Sequence, residues 1–206
     1  MHPLDLRRSS LTMLLATSIA VSAAAWAPPS VITSPDGQYS IRMLDEKPLT
    51  SGHPYDYDRT IALFHLDQPI SRFPTLGFLL DAHWSPDAKF VAVNNRRANS
   101  GDYLWVFSLA DGKPVKVPED QSDSNKLGPV GDVFARVRGK LSGYAKREED
   151  RYSIRSTGWK SATEAKVEIF VRFFDAVPVT IHDLYRVEAG SLRRVHERFE
   201  RGGPSG

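Results

Sequence analysis

The chain has 206 residues, 41% of them apolar and 10% aromatic, which is enough for one packed domain. With 27 basic against 25 acidic side chains, no global charge draws it to nucleic acid. It contains no cysteine, which excludes disulfides, thiolate metal sites and cysteine nucleophiles.

The N-terminus is the clearest signal. Arg7 and Arg8 precede an uncharged apolar run from Leu11 to Ala25. A basic n-region followed by a short apolar core is the pattern of an export signal, whereas a membrane span needs ~20 apolar residues. Ala23 and Ala25 satisfy the small-x-small rule, which predicts a signal peptide at 1–25 and a single β-rich domain at 26–206. The expected destination is the periplasm or the medium, with no membrane span after cleavage. A retained anchor is the competing reading.

Strand signals fill most of the remainder. Tyr39, Ile41 and Met43 alternate with Ser40, Arg42 and Leu44. Thr60 to Leu66 is β-rich. From Thr75 to Trp84, the residues Leu76, Phe78, Leu80, Ala82 and Trp84 share one face, with Leu79, Asp81 and His83 on the other. Phe90 to Asn94 alternates, and Tyr103 to Leu109 is nearly continuous, as for a strand covered on both sides. Further strands are expected at 152–156, 165–174, 179–187 and 192–199.

One segment has helical spacing. Leu127, Val130, Phe134, Val137 and Leu141 form a stripe, predicting a helix at about 129–142. Pro129 suits its first turn, Asp132 its positive end and Gly143 a left-handed cap. Arg136, Arg138 and Lys140 are expected to face water. Charge is uneven as well: residues 26–135 carry 10 basic and 14 acidic side chains, and residues 136–206 carry 15 and 10. The halves are able to attract one another, or the basic half an anionic partner; scattered solvated charge is the plainer reading.

A turn occurs twice. Ser34-Pro35-Asp36-Gly37 precedes Tyr39, and Ser85-Pro86-Asp87-Ala88 precedes Phe90, 51 residues later. Proline presets φ at the second turn position, and glycine supplies the left-handed conformation two places on. Ala88 replaces that glycine, at ~1 kcal/mol or more if the turn is the same. The second copy continues through Asp102-Tyr103-Leu104-Trp105-Val106-Phe107-Ser108-Leu109 to Asp111-Gly112-Lys113. This run resembles a blade of a TolB-type β-propeller, well over 82–117 and partially over 31–67. A fainter echo begins at Trp159. The resemblance implies protein or peptide binding, and the turn motif itself is structural and carries no active site. A closed ring needs four or more blades. The expected fold is therefore mainly β: an open antiparallel meander of blade-like units, curled or sandwich-like, with one amphipathic helix and the C-terminal strands at 150–199.

Candidate chemistry is sparse. His53-Pro54-Tyr55-Asp56-Tyr57-Asp58 is a polar, aromatic loop, suited to a partner or, weakly, to a divalent ion. Arg96-Arg97 is able to grip a carboxylate, sugar or phosphate. Asp81 and His83 share a strand face, His65 lies near Asp67, and His182 precedes Asp183, but no nucleophile motif accompanies them. The sequence shows no dinucleotide, P-loop, zinc or calcium motif, so no cofactor, metal or catalytic residue is assigned. The reading is an exported, non-catalytic binding or envelope-associated module. Its expected partner is a protein, peptide or envelope component, met through His53, Tyr55, Asp56, Tyr57, Arg96 and Arg97. The alternatives are a small exported hydrolase using His and Asp residues, and an inhibitor or immunity-type protein.

Overall fold

The computed structural model describes residues 31–48, 57–75, 80–97, 101–109, 114–117, 132–188 and 190–202. These form three four-stranded antiparallel sheets and one helix. The first sheet holds β1 (Val31–Thr33), β2 (Tyr39–Pro48), β3 (Tyr57–His65) and β4 (Gln68–Thr75). The second holds β5 (Leu80–Trp84), β6 (Phe90–Arg97), β7 (Gly101–Ser108) and β8 (Val115–Lys116). The third holds β9 (Glu149–Trp159), β10 (Glu164–Phe173), β11 (Val179–Glu188) and β12 (Ser191–Arg201). Within each sheet the strands pair in chain order, so each sheet is a plain meander.

The second sheet is the middle layer, as its side-chain pattern requires. Leu80, Ala82, Val91, Val93 and Phe107 pack with Ile41, Ile61 and Leu63 of the first sheet. On the opposite face Ala92, Leu104 and Val106 pack with Ile154, Val167, Ile169 and Ile181 of the third. The near-continuous apolar run of β7 is thus buried on both sides. In the outer sheets one face is apolar and the other polar.

Both Ser-Pro-Asp turns close in the same way. The Ser34 hydroxyl donates to Asp36 Oδ1 at 2.6 Å and accepts from Tyr39 N–H at 2.9 Å. Ser85 repeats this with Asp87 at 2.7 Å and Phe90 at 3.0 Å. Gly37 has φ 72° and Ala88 φ 59°, so the alanine does adopt the left-handed backbone.

Three local expectations need correction. β4 was not expected, because Pro69 and Pro74 interrupt its sequence. It is an edge strand, where prolines are tolerated. The turn into it carries left-handed Leu66 and Asp67 at φ 46° and 67°, a hairpin geometry made without glycine. Arg42 braces it, bonding Asp67 and lying 4.2 Å over the Phe64 ring.

The helix α1 spans Val133–Lys140, shorter than the predicted 129–142. Leu127, Pro129 and Val130 lie outside the described residues. Asp132 is the cap, its side chain accepting from Ala135 N–H at 2.9 Å. The helix closes at Leu141 with extended backbone, so Gly143, at φ 91°, belongs to the following turn and is not the cap. Val133 and Val137 are buried against the third sheet, with Phe134 edge-on to Phe173 at 5.3 Å.

Arg136 is not solvated. Its side chain is 12% exposed and bonds both Asp183 oxygens, at 2.7 and 2.8 Å, and Glu197 at 2.7 Å. It occupies the helix face that approaches β11 and β12, so it anchors the helix instead of wetting it.

Candidate functional site

One contact fixes how the sheets stack, and it occurs twice. Trp84 closes β5; its indole N–H donates to Ile32 C=O at 3.4 Å, and its ring stacks on Tyr39 at 6.1 Å. Trp159 closes β9; its N–H donates to His83 C=O at 2.8 Å, and its ring stacks on Phe90 at 5.9 Å. Ile32 and His83 are 51 residues apart, as are Tyr39 and Phe90, matching the spacing of the turns. The first and second sheets therefore each offer a carbonyl and an aromatic ring to the tryptophan of the next. Asn94 adds a second tie: Nδ2 donates to Ser156 C=O at 2.9 Å and Oδ1 accepts from Ser156 N–H at 2.7 Å. A buried side chain thus replaces a missing strand neighbour. The sequence signal for this clamp was Trp84 and Trp159, each ahead of a turn, but the missing Pro-Asp after Trp159 masked it.

This stacking aligns the ends of the sheets. The first-to-second-strand turns of all three sheets gather at one end, around Tyr39, Phe90 and the two indoles. The second strands run away from those turns, so their far ends and the starts of the third strands lie at the other end: Pro48 and Tyr57, Arg97 and Gly101, Phe173 and Val179. Three of the residues singled out for binding stand at those strand ends. Tyr57 opens β3 opposite Pro48. Arg96 and Arg97 close β6 opposite Asp102 and Gly101. His53, Tyr55 and Asp56 lie outside the described residues. The third sheet's connection is residues 174–178, where Phe174 and Val177 are exposed. Phe-Phe-Asp-Ala-Val-Pro was its signal, hidden because Phe174 reads as the end of a strand.

The histidine–carboxylate candidates do not converge. Asp81 and His83 approach to 3.5 Å, and Asp81 Oδ2 accepts from Asn94 at 2.8 Å, on the side of the second sheet that faces the third. His65 packs on Tyr39 at 4.9 Å, on the side facing the first. Asp67 is bonded by Arg42. His182 faces outward between Glu168 at 3.5 Å and Glu200 at 3.2 Å. Asp183, its neighbour, faces inward to Arg136 and accepts from the Tyr185 hydroxyl at 2.9 Å. Burial first, then the Asp183 carboxylate, push the Tyr185 phenol far above its ordinary value, so it stays a proton donor. Among the described residues no group of three or more His, Asp or Glu side chains is arranged to hold a metal ion.

The outward face of the third sheet forms a shallow trough of about 660 Å³, lined by Glu164, Lys166, Glu168, His182, Arg186 and His196 among others. Most of its charge is internally matched. Arg186 holds Glu164 at 2.6 Å and depresses that carboxyl below its ordinary value, and Arg155 holds Glu168 at 2.8 Å. A ligand here would have to displace ion pairs, so the trough is a poorer candidate than the end of the stack.

No family model matches the chain, and no curated protein matches it. Among solved structures it is similar to a Pyrococcus horikoshii acylaminoacyl peptidase in an orthorhombic crystal form, at 16% identity and a TM-score of 0.42. That similarity covers 80% of this chain but only 24% of the peptidase, and it carries no argument about activity.

Proposed function

We propose that the protein is an exported, non-catalytic binding module that works at the cell envelope. The observation that carries this reading is that the strand ends flanking the second-to-third-strand connections of three stacked sheets lie at one end of the stack. Loops held side by side by a rigid scaffold are where proteins place binding residues. Tyr57, Arg96 and Arg97 belong to that end, and His53, Tyr55 and Asp56 fall in the chain between Pro48 and Tyr57. The export reading is supported by Arg7, Arg8 and the apolar Leu11–Ala25 run. No helix among the described residues is long and apolar enough to cross a membrane. Kinship with TolB-type blades is supported by the repeated Ser-Pro-Asp turn and the repeated tryptophan clamp. The hydrolase alternative gains nothing from the histidines, since His65 and His83 lie on opposite sides of the second sheet.

The test is retention of envelope components on the immobilised full chain, compared with a chain carrying Arg96→Glu and Arg97→Glu. The expected result is a retained component that the variant loses while its melting temperature stays unchanged. Equal retention by both, or none by the wild type, overturns the reading.

A further inference from the structure

The third sheet's contribution to that end is the hairpin tip at 174–178. It carries two of the four exposed large apolar side chains among the described residues, Phe174 at 50% and Val177 at 57% exposure. The tip is held from behind. Phe174 N–H donates to Glu148 C=O at 3.1 Å, and Gly202 N–H donates to Pro178 C=O at 2.8 Å. The Tyr144 hydroxyl donates to Val177 C=O at 2.7 Å. These backbone groups are satisfied by the protein while the two side chains stand in solvent.

Cations lie on the segments that hold the tip, which include Tyr144, Glu148 and Gly202. Lys140 ends the helix, Lys146 and Arg147 follow it, and Arg201 ends β12. Arg147 donates to Gly143 C=O at 3.3 Å and Arg201 to Ser142 C=O at 3.1 Å, so both are tied to the loop beside the tip. Neither they nor the two lysines form an ion pair with a described residue. The nearby Glu149 and Asp150 are taken by Arg138 and Arg172, each at 2.6 Å. Among the described residues that leaves four cations, and two carboxylates, Glu148 and Asp175, without an ion-pair partner.

We propose that this tip docks the protein peripherally on an anionic lipid surface. Phe174 and Val177 enter the boundary between headgroups and acyl chains, and Lys140, Lys146, Arg147 and Arg201 meet lipid phosphates. This deepens the binding-module reading and rests on it. Three features favour lipid over a protein partner. The apolar pair sits on a convex hairpin tip and not in a groove. The tip's internally bonded backbone groups avoid the penalty of entering an apolar medium unpaired. The cationic rim adds attraction to an anionic leaflet.

The experiment is co-sedimentation of the full chain with phosphatidylcholine vesicles and with vesicles containing about 30% phosphatidylglycerol, to supply negative surface potential. The expected result is binding to the anionic vesicles only, weakened by salt. Phe174→Ser with Val177→Ser is expected to weaken it at least ~10-fold through lost apolar transfer. Lys146→Glu with Arg147→Glu is expected to do the same through charge, at ~5-fold per charge removed. Every chain compared carries the apolar 11–25 run, so differences between them belong to the tip. Phe174→Trp gives a direct readout: the introduced indole should be quenched by brominated lipid beyond the wild-type level. Equal binding by wild type and both double variants, or no added quenching, overturns the proposal. Retention of envelope protein without vesicle binding overturns the lipid assignment and leaves the binding module standing. Failure of both overturns both.

Discussion

Asn94 offers the sharpest test of how the sheets are joined. Its amide is buried and makes three hydrogen bonds, two to the Ser156 backbone and one to Asp81. Asn94→Ala leaves the Ser156 N–H and C=O unpaired between two sheets. Each buried orphan costs ~1–3 kcal/mol, so the variant should lose ~3–5 kcal/mol once a small cavity is added. Denaturant unfolding followed by tryptophan fluorescence measures it. Asn94→Asp separates hydrogen bonding from packing. One oxygen still accepts from Ser156 N–H, but the other replaces a donor that stood 2.8 Å from Asp81 Oδ2 and 2.9 Å from Ser156 C=O. Burial and the like charge raise the new carboxyl's folded pKa above its unfolded value of ~3.9. The ionised form is then the destabilised one. The penalty is full above the folded pKa and fades as pH falls through it, when the carboxyl regains a proton to donate. Asp81→Asn in the same background should remove much of that dependence. A loss below ~1 kcal/mol in Asn94→Ala, or a penalty in Asn94→Asp independent of pH, would refute the joint.

Four further variants test the geometry. Arg136→Ala strands the fully buried Asp183 carboxylate and should cost ~3–5 kcal/mol by thermal or chemical unfolding, while Lys140→Ala, exposed at the helix end, should cost less than ~0.5 kcal/mol. A β-carbon at Gly37 meets nothing within 4 Å, so Gly37→Ala should cost only the left-handed backbone, ~1 kcal/mol in a melting experiment. Ala88→Gly relieves the same strain but removes a buried methyl worth ~0.8 kcal/mol, so its net effect should be near zero.

What the sequence disclosed depended on how local each signal was. The Ser-Pro-Asp turns are self-contained: serine hydroxyl, aspartate oxygen and next-strand amide lie within six residues, so the pattern alone specified them. Period-two alternation and the double-sided run of β7 likewise reported burial directly. The stripe at Phe134, Val137 and Leu141 marked the helix, because apolar spacing reflects which face is covered. Arg136 could not be read this way. It lies about half a turn from Phe134 and from Arg138 on a short helix, and whether it meets water or Asp183 depends on a strand 47 residues away. β4 was hidden because its two prolines are compatible only with an edge, and edge position is a property of the whole sheet. His65 and Asp81 were near in sequence yet separated by a sheet, since alternate residues of β5 face opposite layers.

The repeated clamp also bears on why the stack has three layers. A further sheet ahead of the first would need a tryptophan in β1 to reach back to it, and the position matching Trp84 is Thr33, 51 residues earlier. A further sheet beyond the third would need an aromatic ring at the start of β10. The turn bonds locate that position: Ser34 N–H reaches Tyr39 C=O, Ser85 N–H reaches Phe90 C=O, and Lys160 N–H reaches Glu164 C=O at 2.7 Å. Glu164 stands where Tyr39 and Phe90 stand, and it is engaged by Arg186 at 2.6 Å and Lys160 at 3.6 Å. Each outer sheet thus lacks the half of the clamp that would recruit another, and polar residues occupy the vacant positions. The outward face of the third sheet is polar, and its exposed large apolar side chains among the described residues are the two at the hairpin tip, Phe174 and Val177.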